Sequence, residues 1–266
     1  MKRFALILLL LSLASPSWAG YEEGMAAYRR GDYAAALREF LPLARQGDAL
    51  VQAVLGAMYA EAQGVPQDYA EAVKWYRLAA AQGHAQAQFN LGVMYGKGEG
   101  VPQDHAEAVK WYRLAAGQGL AQAQSNLGFR YGEGRGVPQD YAEAVKWYRL
   151  AAAQGDAQAQ YNLGVMYGEG RGVPQDHAEA VKWYRLAAGQ GHASAQNNLG
   201  VRYDKGEGVP QDYVQAHMWL NLAASRFSPG KDRDTAVKNR DIAARKMTPA
   251  QIAEAQRLAR EWKPKK

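Results

Sequence analysis

A pentapeptide, Gly-Val-Pro-Gln-Asp, begins at residues 64, 100, 136, 172 and 208, so the sequence repeats itself every 36 residues. A second motif, Trp-Tyr-Arg-Leu-Ala-Ala, begins at 75, 111, 147 and 183, and a degenerate copy at 219 keeps the spacing. A fixed period of this length is typical of repeat architectures, in which each unit buries its apolar face against its neighbours. Five tandem units are therefore predicted: 48–83, 84–119, 120–155, 156–191 and 192–227.

Each unit predicts two helices joined by a glycine-rich turn. In the second unit, apolar residues recur every four positions at Ala87, Leu91 and Tyr95, which predicts one face of a first helix. Gly92 follows Leu91, and its missing side chain allows a neighbouring helix to approach closely. That contact offsets the roughly 1 kcal/mol that glycine costs inside a helix. A run of glycines and then Pro102 ends the helix.

The second helix is predicted to begin at an aspartate and end at a glycine. Asp104 is the predicted N-cap, with Glu107 at the capping-box spacing. Gly119 is predicted to end the helix in a left-handed conformation. One tryptophan per unit falls on the predicted apolar face, which favours core packing over a sugar-binding ladder. These tryptophans are Trp75, Trp111, Trp147, Trp183 and Trp219.

The ends of the repeat array need covering, and both flanks predict helices. Residues 20–47 predict a capping hairpin that turns at Gly31 and Asp32. Residues 228–266 predict one helix from Lys231 to Lys246, and a last helix that Thr248 caps and whose apolar stripe seals the final repeat. The predicted fold is therefore all-α, a right-handed superhelical solenoid of helix-turn-helix repeats.

Residues 1–19 are typical of a secretory signal peptide. Lys2 and Arg3 precede an apolar stretch at 4–13, and a small-x-small motif predicts cleavage between Ala19 and Gly20. An apolar stretch of about ten residues is much shorter than the roughly 20 needed to span a bilayer. We therefore expect export, to the periplasm or beyond it.

Composition excludes several kinds of chemistry. The sequence has no cysteine, which rules out disulfides, thiolate metal ligands and a thiol nucleophile. The positive charge that gives the net value of +6 is concentrated in the C-terminal segment. Residues 225–266 carry 12 basic and 5 acidic side chains, whereas residues 20–224 carry 18 basic and 21 acidic side chains. No basic groove with interleaved aromatic residues is present, so nucleic acid is excluded as a partner.

The units resemble Sel-one-like (Sel1-like) repeats, a branch of the tetratricopeptide-type helical repeats. Most of the residues that carry the resemblance recur in all five units. In the second unit they are Ala87, Leu91, Gly92, Tyr95, Gly98, Gly100, Val101, Asp104, Ala108, Trp111, Ala115, Ala116 and Gly119. The resemblance covers roughly residues 48–227. It implies a superhelix used for protein binding, often in the cell envelope or at the host interface, in which the first helices line a concave groove.

Three positions of the first helix vary from unit to unit, and their spacing of four places them on one stripe. An asparagine recurs beside this stripe, and we expect it either to bridge adjacent repeats or to grip a peptide backbone. The predicted partner-binding residues are Phe89, Asn90, Val93, Lys97, Ser125, Asn126, Phe129, Glu133, Tyr161, Asn162, Val165, Glu169, Asn197, Val201 and Lys205.

No catalytic, cofactor-binding or metal-binding residue is predicted. The histidines interchange with other residue types between units, and the Asp/Glu pairs are explained by helix capping. The sequence thus favours an exported adaptor or scaffold that binds a protein partner, in envelope or host-interaction processes. One alternative is a periplasmic immunity protein against a lipase-type toxin. The resemblance suggests another, a β-lactam-binding or β-lactam-hydrolysing enzyme, although the cysteines of those relatives are missing here.

Overall fold

The structure is a computed structural model that describes residues 16–264, with side chains from residue 20. Within that range the chain forms fourteen α-helices and no strand. Their bounds are α1 Pro16–Arg29, α2 Tyr33–Arg45, α3 Ala49–Ala60, α4 Tyr69–Ala81, α5 Ala85–Lys97, α6 His105–Gly117, α7 Ala121–Glu133, α8 Tyr141–Ala153, α9 Ala157–Glu169, α10 His177–Gly189, α11 Ala193–Lys205, α12 Tyr213–Arg226, α13 Lys231–Ala244 and α14 Pro249–Glu261.

The predicted signal peptide falls almost entirely outside the described residues. Its charged and apolar segments lie within 1–15, and α1 begins at Pro16 and runs across the predicted cleavage site between Ala19 and Gly20. Among the described helices, none combines the length and the apolar character needed to cross a bilayer.

The helices pack as two compact units, one ending at Trp111 and the other beginning at Tyr112, with the boundary inside α6. In the first unit, α1 packs on α2 and α3 packs on α4, as hairpins. In the second unit, α7 pairs with α8, α9 with α10 and α11 with α12. Within each unit, second helices also contact the first helix that follows them: α4 contacts α5 in the first unit, and α8 contacts α9 and α10 contacts α11 in the second.

A glycine in each of α3, α7, α9 and α11 lies against a large side chain of its partner helix. A Cβ placed on Gly164 would come within 2.5 Å of the ring of Tyr184, and one on Gly128 within 2.8 Å of Tyr148. The first unit repeats the contact between Gly56 and Tyr76, at 2.6 Å. The predicted close helix approach at this glycine is therefore confirmed in α3, α7 and α9.

Helix starts follow the predicted capping pattern with one correction. Asp104 Oδ1 accepts a hydrogen bond from the backbone N–H of Glu107 at 2.9 Å, as predicted. The reciprocal half of the capping box is wrong, because the Glu107 carboxylate accepts from Lys110 Nζ at 2.7 Å instead. A complete capping box occurs at the start of α14, between Thr248 and Gln251.

The end of α6 also agrees with the prediction made from the sequence. Gly119 has a φ of +89°, in the left-handed region that suits glycine. Its N–H donates to the carbonyl of Ala116 and the N–H of Leu120 to that of Ala115, which closes a Schellman motif. The predicted left-handed C′ glycine is confirmed here.

The tryptophan prediction is only partly right. Trp147 is half-buried, whereas the adjacent Tyr148 is 2% exposed and belongs to the core. Trp75 and Trp183 pack on the margins of buried clusters formed by the hairpin before them. Trp75 and Trp183 therefore seal junctions between hairpins, and the tyrosines beside them, Tyr76 and Tyr184, fill the interior.

Both flanks form the helices that the sequence predicts. Gly31 turns the chain with a φ of +79°, and Asp32 caps α2. At the other end, α13 and α14 both pack against α12. Ala255 and Ala259 of α14 are buried against Met218 and Leu222, so the predicted apolar stripe does cover the last repeat.

We predict that Gly164→Ala lowers the free energy of unfolding by about 1–3 kcal/mol, since the added methyl group must displace the Tyr184 ring. Helix propensity alone would favour alanine by roughly 1 kcal/mol. Urea unfolding of the full chain measures the change. The matched control is Gly117→Ala, where a Cβ meets nothing within 4 Å. Equal effects of the two substitutions would contradict the proposed close contact.

Candidate binding face on the first helices

The recurring asparagines bond to the buried tyrosines of the preceding hairpin. Burial raises the pKa of Tyr148, and a hydrogen bond from Asn162 opposes that shift by stabilising the phenolate. Burial likewise raises the pKa of Tyr184 to about 12, against a hydrogen bond from Asn198. This interaction with the preceding hairpin favours the bridging alternative for Asn162 and Asn198, although Asn162 Oδ1 also accepts from Gln158 of its own helix at 3.1 Å.

The third repeat departs from this arrangement. Arg130 stands where the first, second and fourth repeats have methionine, and it hydrogen-bonds the hydroxyl of Tyr112. Asn126 instead donates to the backbone carbonyl of Gln122, on its own helix, at 2.9 Å. Its amide is thus held at the surface of α7.

Two open hollows lie between neighbouring first helices of the second unit. The one between α7 and α9 has a volume of about 290 Å³ and is lined by Ser125, Asn126, Phe129, Gln158 and Asn162. Phe129 is 39% exposed, a large fraction for phenylalanine, and the guanidinium of Arg135 lies 5.8 Å from its ring centre. An aromatic side chain between polar amides is the kind of surface on which binding hot spots form.

The hollow between α9 and α11 is smaller, about 220 Å³, and more strongly charged. It is lined by Tyr161, Val165, Glu169, Tyr184, Asn198, Val201, Arg202, Lys205 and Glu207. Arg202 pairs with Glu207, and Glu169 pairs with Arg171 at 2.8 Å. Charges of both signs line the surface, so it suits a partner of mixed polarity.

The predicted stripe residues are not equally available. Ser125 is 6% exposed and is part of the hollow's wall without projecting from it. Tyr161 is half-buried, stacks on His192 with ring centres 4.8 Å apart, and packs on the cluster around Tyr184. Tyr161→Ala is therefore expected to lower the melting temperature, since this ring contributes to the core as well as to the surface.

The C-terminal end of the stripe is partly covered by α13. Asn239 of that helix donates to Asn197 Oδ1 at 3.3 Å, and Ala243 lies in the cluster on which Val201 packs. Lys246 pairs with Asp204 at 2.8 Å. The available part of the face therefore runs from α7 to the start of α11.

The first unit carries its own stretch of the stripe on α5. Phe89, Asn90 and Val93 are half-buried, and Lys97 is exposed and pairs with Glu99 at 3.5 Å. Glu133 of α7 is exposed in the same way. All the predicted positions except Ser125 thus reach the surface at least in part.

The sequence prediction missed Gln158. It lines the hollow beside Phe129, yet the same residue type stands at Gln86 and Gln122, so a search for variable positions passes over it. Its position four residues before Asn162 places it on the same helical face.

The histidines have structural partners. His84 and His192 occupy N-cap positions, where Nδ1 accepts from the backbone N–H of Ala87 and Ala195, at 3.2 Å in each case. Asp156 caps α9 in the same way, which explains why histidine and aspartate interchange between repeats. Within residues 20–264, no three His, Asp or Glu side chains converge as a metal site would require.

Consecutive two-helix repeats define the class of the protein as a helical-repeat protein. Within it, residues 49–84, 85–120, 121–156, 157–192 and 193–226 each match the Sel1 repeat model. The chain therefore belongs to the Sel1 repeat family, and the predicted family and all-α repeat fold are confirmed. The Sel1 fold is typically a non-catalytic scaffold and suggests protein–protein interaction.

Solved structures support the same assignment. A Sel1 repeat protein from Oxalobacter formigenes is 33% identical with a TM-score of 0.78, over 93% of this chain and 98% of that one. The protein c5321, a protective antigen present in uropathogenic Escherichia coli strains, is 32% identical with a TM-score of 0.70, over 93% of this chain but only 61% of the antigen.

A more distant structure is the immunity protein Pa5087 from Pseudomonas aeruginosa. It is 21% identical with a TM-score of 0.47, over 86% of this chain and 83% of that one, which is too remote to inform function. No curated protein matches the chain.

We predict that stability falls as the pH drops from about 7.5 to about 5. Burial lowers the pKa of both His192 and His217 in the fold. The unfolded chain, with histidine pKa values near 6.5, therefore binds protons first, and the stability present above about pH 6.5 is lost below it. Protonation at Nδ1 would also break the His192 cap on α11.

Melting temperatures of the full chain at pH 7.5 and 5 measure this dependence. The matched variant is His192→Asp with His217→Val, which installs the residue types found one repeat earlier at Asp156 and Val181. Its melting temperature should change less between the two pH values. An unchanged pH dependence would show that other groups cause the loss.

Proposed function

We propose that this chain is an exported, non-catalytic adaptor that binds a protein partner on the first-helix face of its second unit. The face comprises the two hollows and the stripe residues of α7, α9 and the start of α11. The proposal rests on the exposure of the Phe129 ring, which lies within a hollow of polar side chains. A partner that covers this ring gains hydrophobic contact and can hydrogen-bond to the amides beside it.

Within the first helices, the residues that pack in the core differ from those that face the hollows, and this division supports the proposal. Residues that hold the fold recur between repeats, as do Leu127 and Leu163, both fully buried. Residues that face the hollows change, as Phe129 becomes Val165. Packing explains the constant positions, whereas a specific partner would explain why the outward positions differ.

The polarity of the face favours a protein over a strongly charged polymer. Glu133 and Glu169 lie near Arg135, Arg171 and Lys205, so neither sign dominates. The relative from uropathogenic E. coli carries the name of a protective antigen. For this chain, an envelope or host-facing location would agree with the signal peptide expected at residues 1–19.

We predict that Phe129→Ala reduces partner capture at least about tenfold, a change equivalent to 1.4 kcal/mol, while the melting temperature stays nearly the same. The ring is exposed enough that its removal leaves little cavity. The experiment immobilises the full mature chain, captures protein from the producing cell's envelope fraction and quantifies each captured protein.

The matched control is Leu78→Ala, which removes an apolar side chain that is 48% exposed on a second helix of the first unit. It should leave capture intact. Equal capture by the wild type and Phe129→Ala would refute the assigned face, and hydrolysis of a β-lactam by the purified chain would refute the non-catalytic role.

Export has its own test. The chain expressed in a bacterial host should be recovered from the envelope fraction beginning at Gly20, and Ala19→Arg should block that processing because small residues are required at the cleavage site. Mass spectrometry of the amino terminus shows whether the chain has been cleaved before Gly20. An uncleaved chain confined to the cytoplasm would exclude export.

A further inference from the structure

Two second helices of the second unit expose a leucine to solvent. Leu150 of α8 is 50% exposed and Leu186 of α10 is 51% exposed, although both belong to apolar Trp-Tyr-Arg-Leu-Ala-Ala motifs. A lysine lies four residues before each leucine, at Lys146 and Lys182, and therefore on the same helical stripe. This outer face is separate from the hollows of the first helices.

In the last repeat the same face is covered by the chain itself. Leu222 stands 36 residues after Leu186 and is only 6% exposed. It forms a buried cluster with Met218 and with Ala255 and Ala259 of α14. The molecule thus contains one example of a helix docked on this face, and the small alanine side chains let the two helices approach closely.

The docked helix is anchored by an aromatic residue at its end. The Trp262 ring lies edge-on to Trp219, with ring centres 6.2 Å apart, and 4.4 Å from the guanidinium of Arg226. It also reaches Gly191, where a Cβ would come within 3.7 Å of the indole. Trp262 therefore fills the corner between α12 and the turn before α11.

One repeat earlier, the equivalent corner is open. A hollow of about 790 Å³ lies there, and a Cβ on Gly155 would meet nothing within 4 Å. Its lining corresponds, with an offset of 36 residues, to the surroundings of Trp262. The residues that line it are Gln154, Gly155, Lys182, Arg185, Leu186, Gly189 and Gln190.

Charge distinguishes the open corner from the filled one. Lys182 and Arg185 stand where the last repeat has the neutral Met218 and Asn221. Lys182 pairs with Glu179 at 2.6 Å, but Arg185 donates to the neutral hydroxyl of Tyr203, so the face keeps a net positive charge. Arg149 is bonded in the same way to Tyr167.

We propose that the face formed by α8 and α10 docks an amphipathic helix of a second protein, with small and apolar residues on its inner side, acidic residues on its flanks and an aromatic anchor near its C-terminal end. It would lie on α10 as α14 lies on α12, with the anchor in the hollow beside Gly155 and Leu186. A second copy of this chain is the poorer occupant, because it would place lysine and arginine against lysine and arginine.

The test uses two fluorescent peptides and the full chain. One peptide has the sequence of residues 248–264, which includes α14 and Trp262. The other is the same peptide with Arg257→Glu and Arg260→Glu, both at exposed positions. Fluorescence anisotropy should show that the acidic peptide binds at least about tenfold more tightly, and that added salt weakens its binding.

Variants of the chain locate the site. Leu186→Ser should weaken binding of the acidic peptide about tenfold and leave the melting temperature nearly unchanged, because that side chain is half-exposed. Phe129→Ala should leave peptide binding unchanged, which separates this face from the proposed partner site. Trp262→Ala in the peptide should weaken binding as much as Leu186→Ser does in the chain.

Three results would overturn the proposal. The acidic peptide could fail to bind, or both peptides could bind equally well. Binding could persist in Leu186→Ser, which would mean that the peptide displaces α14 from α12. Sedimentation of the chain alone provides the last check, since self-association that Leu186→Ser abolishes would identify a second copy as the occupant.

Discussion

The structure depends on a buried tyrosine in α4, α8 and α10 that lies against the glycine of its own first helix, a place that Leu220 takes in α12. The Tyr148 ring lies on Gly128 of its own hairpin, and its hydroxyl accepts from Asn162 of the next first helix. Burial of the ring supplies hydrophobic stabilisation, and the hydrogen bond satisfies the polar atom that burial would otherwise leave unpaired. Tyr76 and Tyr184 form the same pair of contacts.

This contact determines which positions are available for binding. Because Tyr148 packs on the glycine side of α7, positions such as Phe129 and Glu133 face away from the core. Exposed outward positions such as Phe129 and Glu133 contribute little to packing and can vary between repeats, whereas Tyr161 also packs on a buried cluster. The second helices have an outer face as well, and α14 covers that face on α12 but not on α8 or α10.

Much of the fold could be predicted from the sequence because the signals are local. The 36-residue period, the aspartate caps and the left-handed glycine at Gly119 each depend on a few consecutive residues. The choice between Trp147 and Tyr148 as the core residue could not be made, because adjacent positions on a helix lie only about 100° apart. Burial was decided by the neighbouring hairpin.

The candidate site was predicted less completely, for the same physical reason. Asn162 was predicted beside the variable stripe, but its partner Tyr148 comes from the preceding helix, and no local pattern joins the two. Leu186 and Leu222 occupy the same motif position, yet one is exposed and the other buried, because a helix more than 25 residues later covers only the second. Contacts between segments that are distant in the sequence determine whether such residues are buried.

The most direct test is a double-mutant cycle between Tyr148→Phe and Asn162→Ala, with unfolding free energies from urea denaturation of the full chain. A coupling of about 1 kcal/mol is expected, since one buried hydrogen bond joins the pair. The matched pair is Tyr112→Phe with Asn126→Ala, which should be additive because Arg130 holds the Tyr112 hydroxyl. Additivity at Tyr148 and Asn162 would contradict the bridging role of the asparagines.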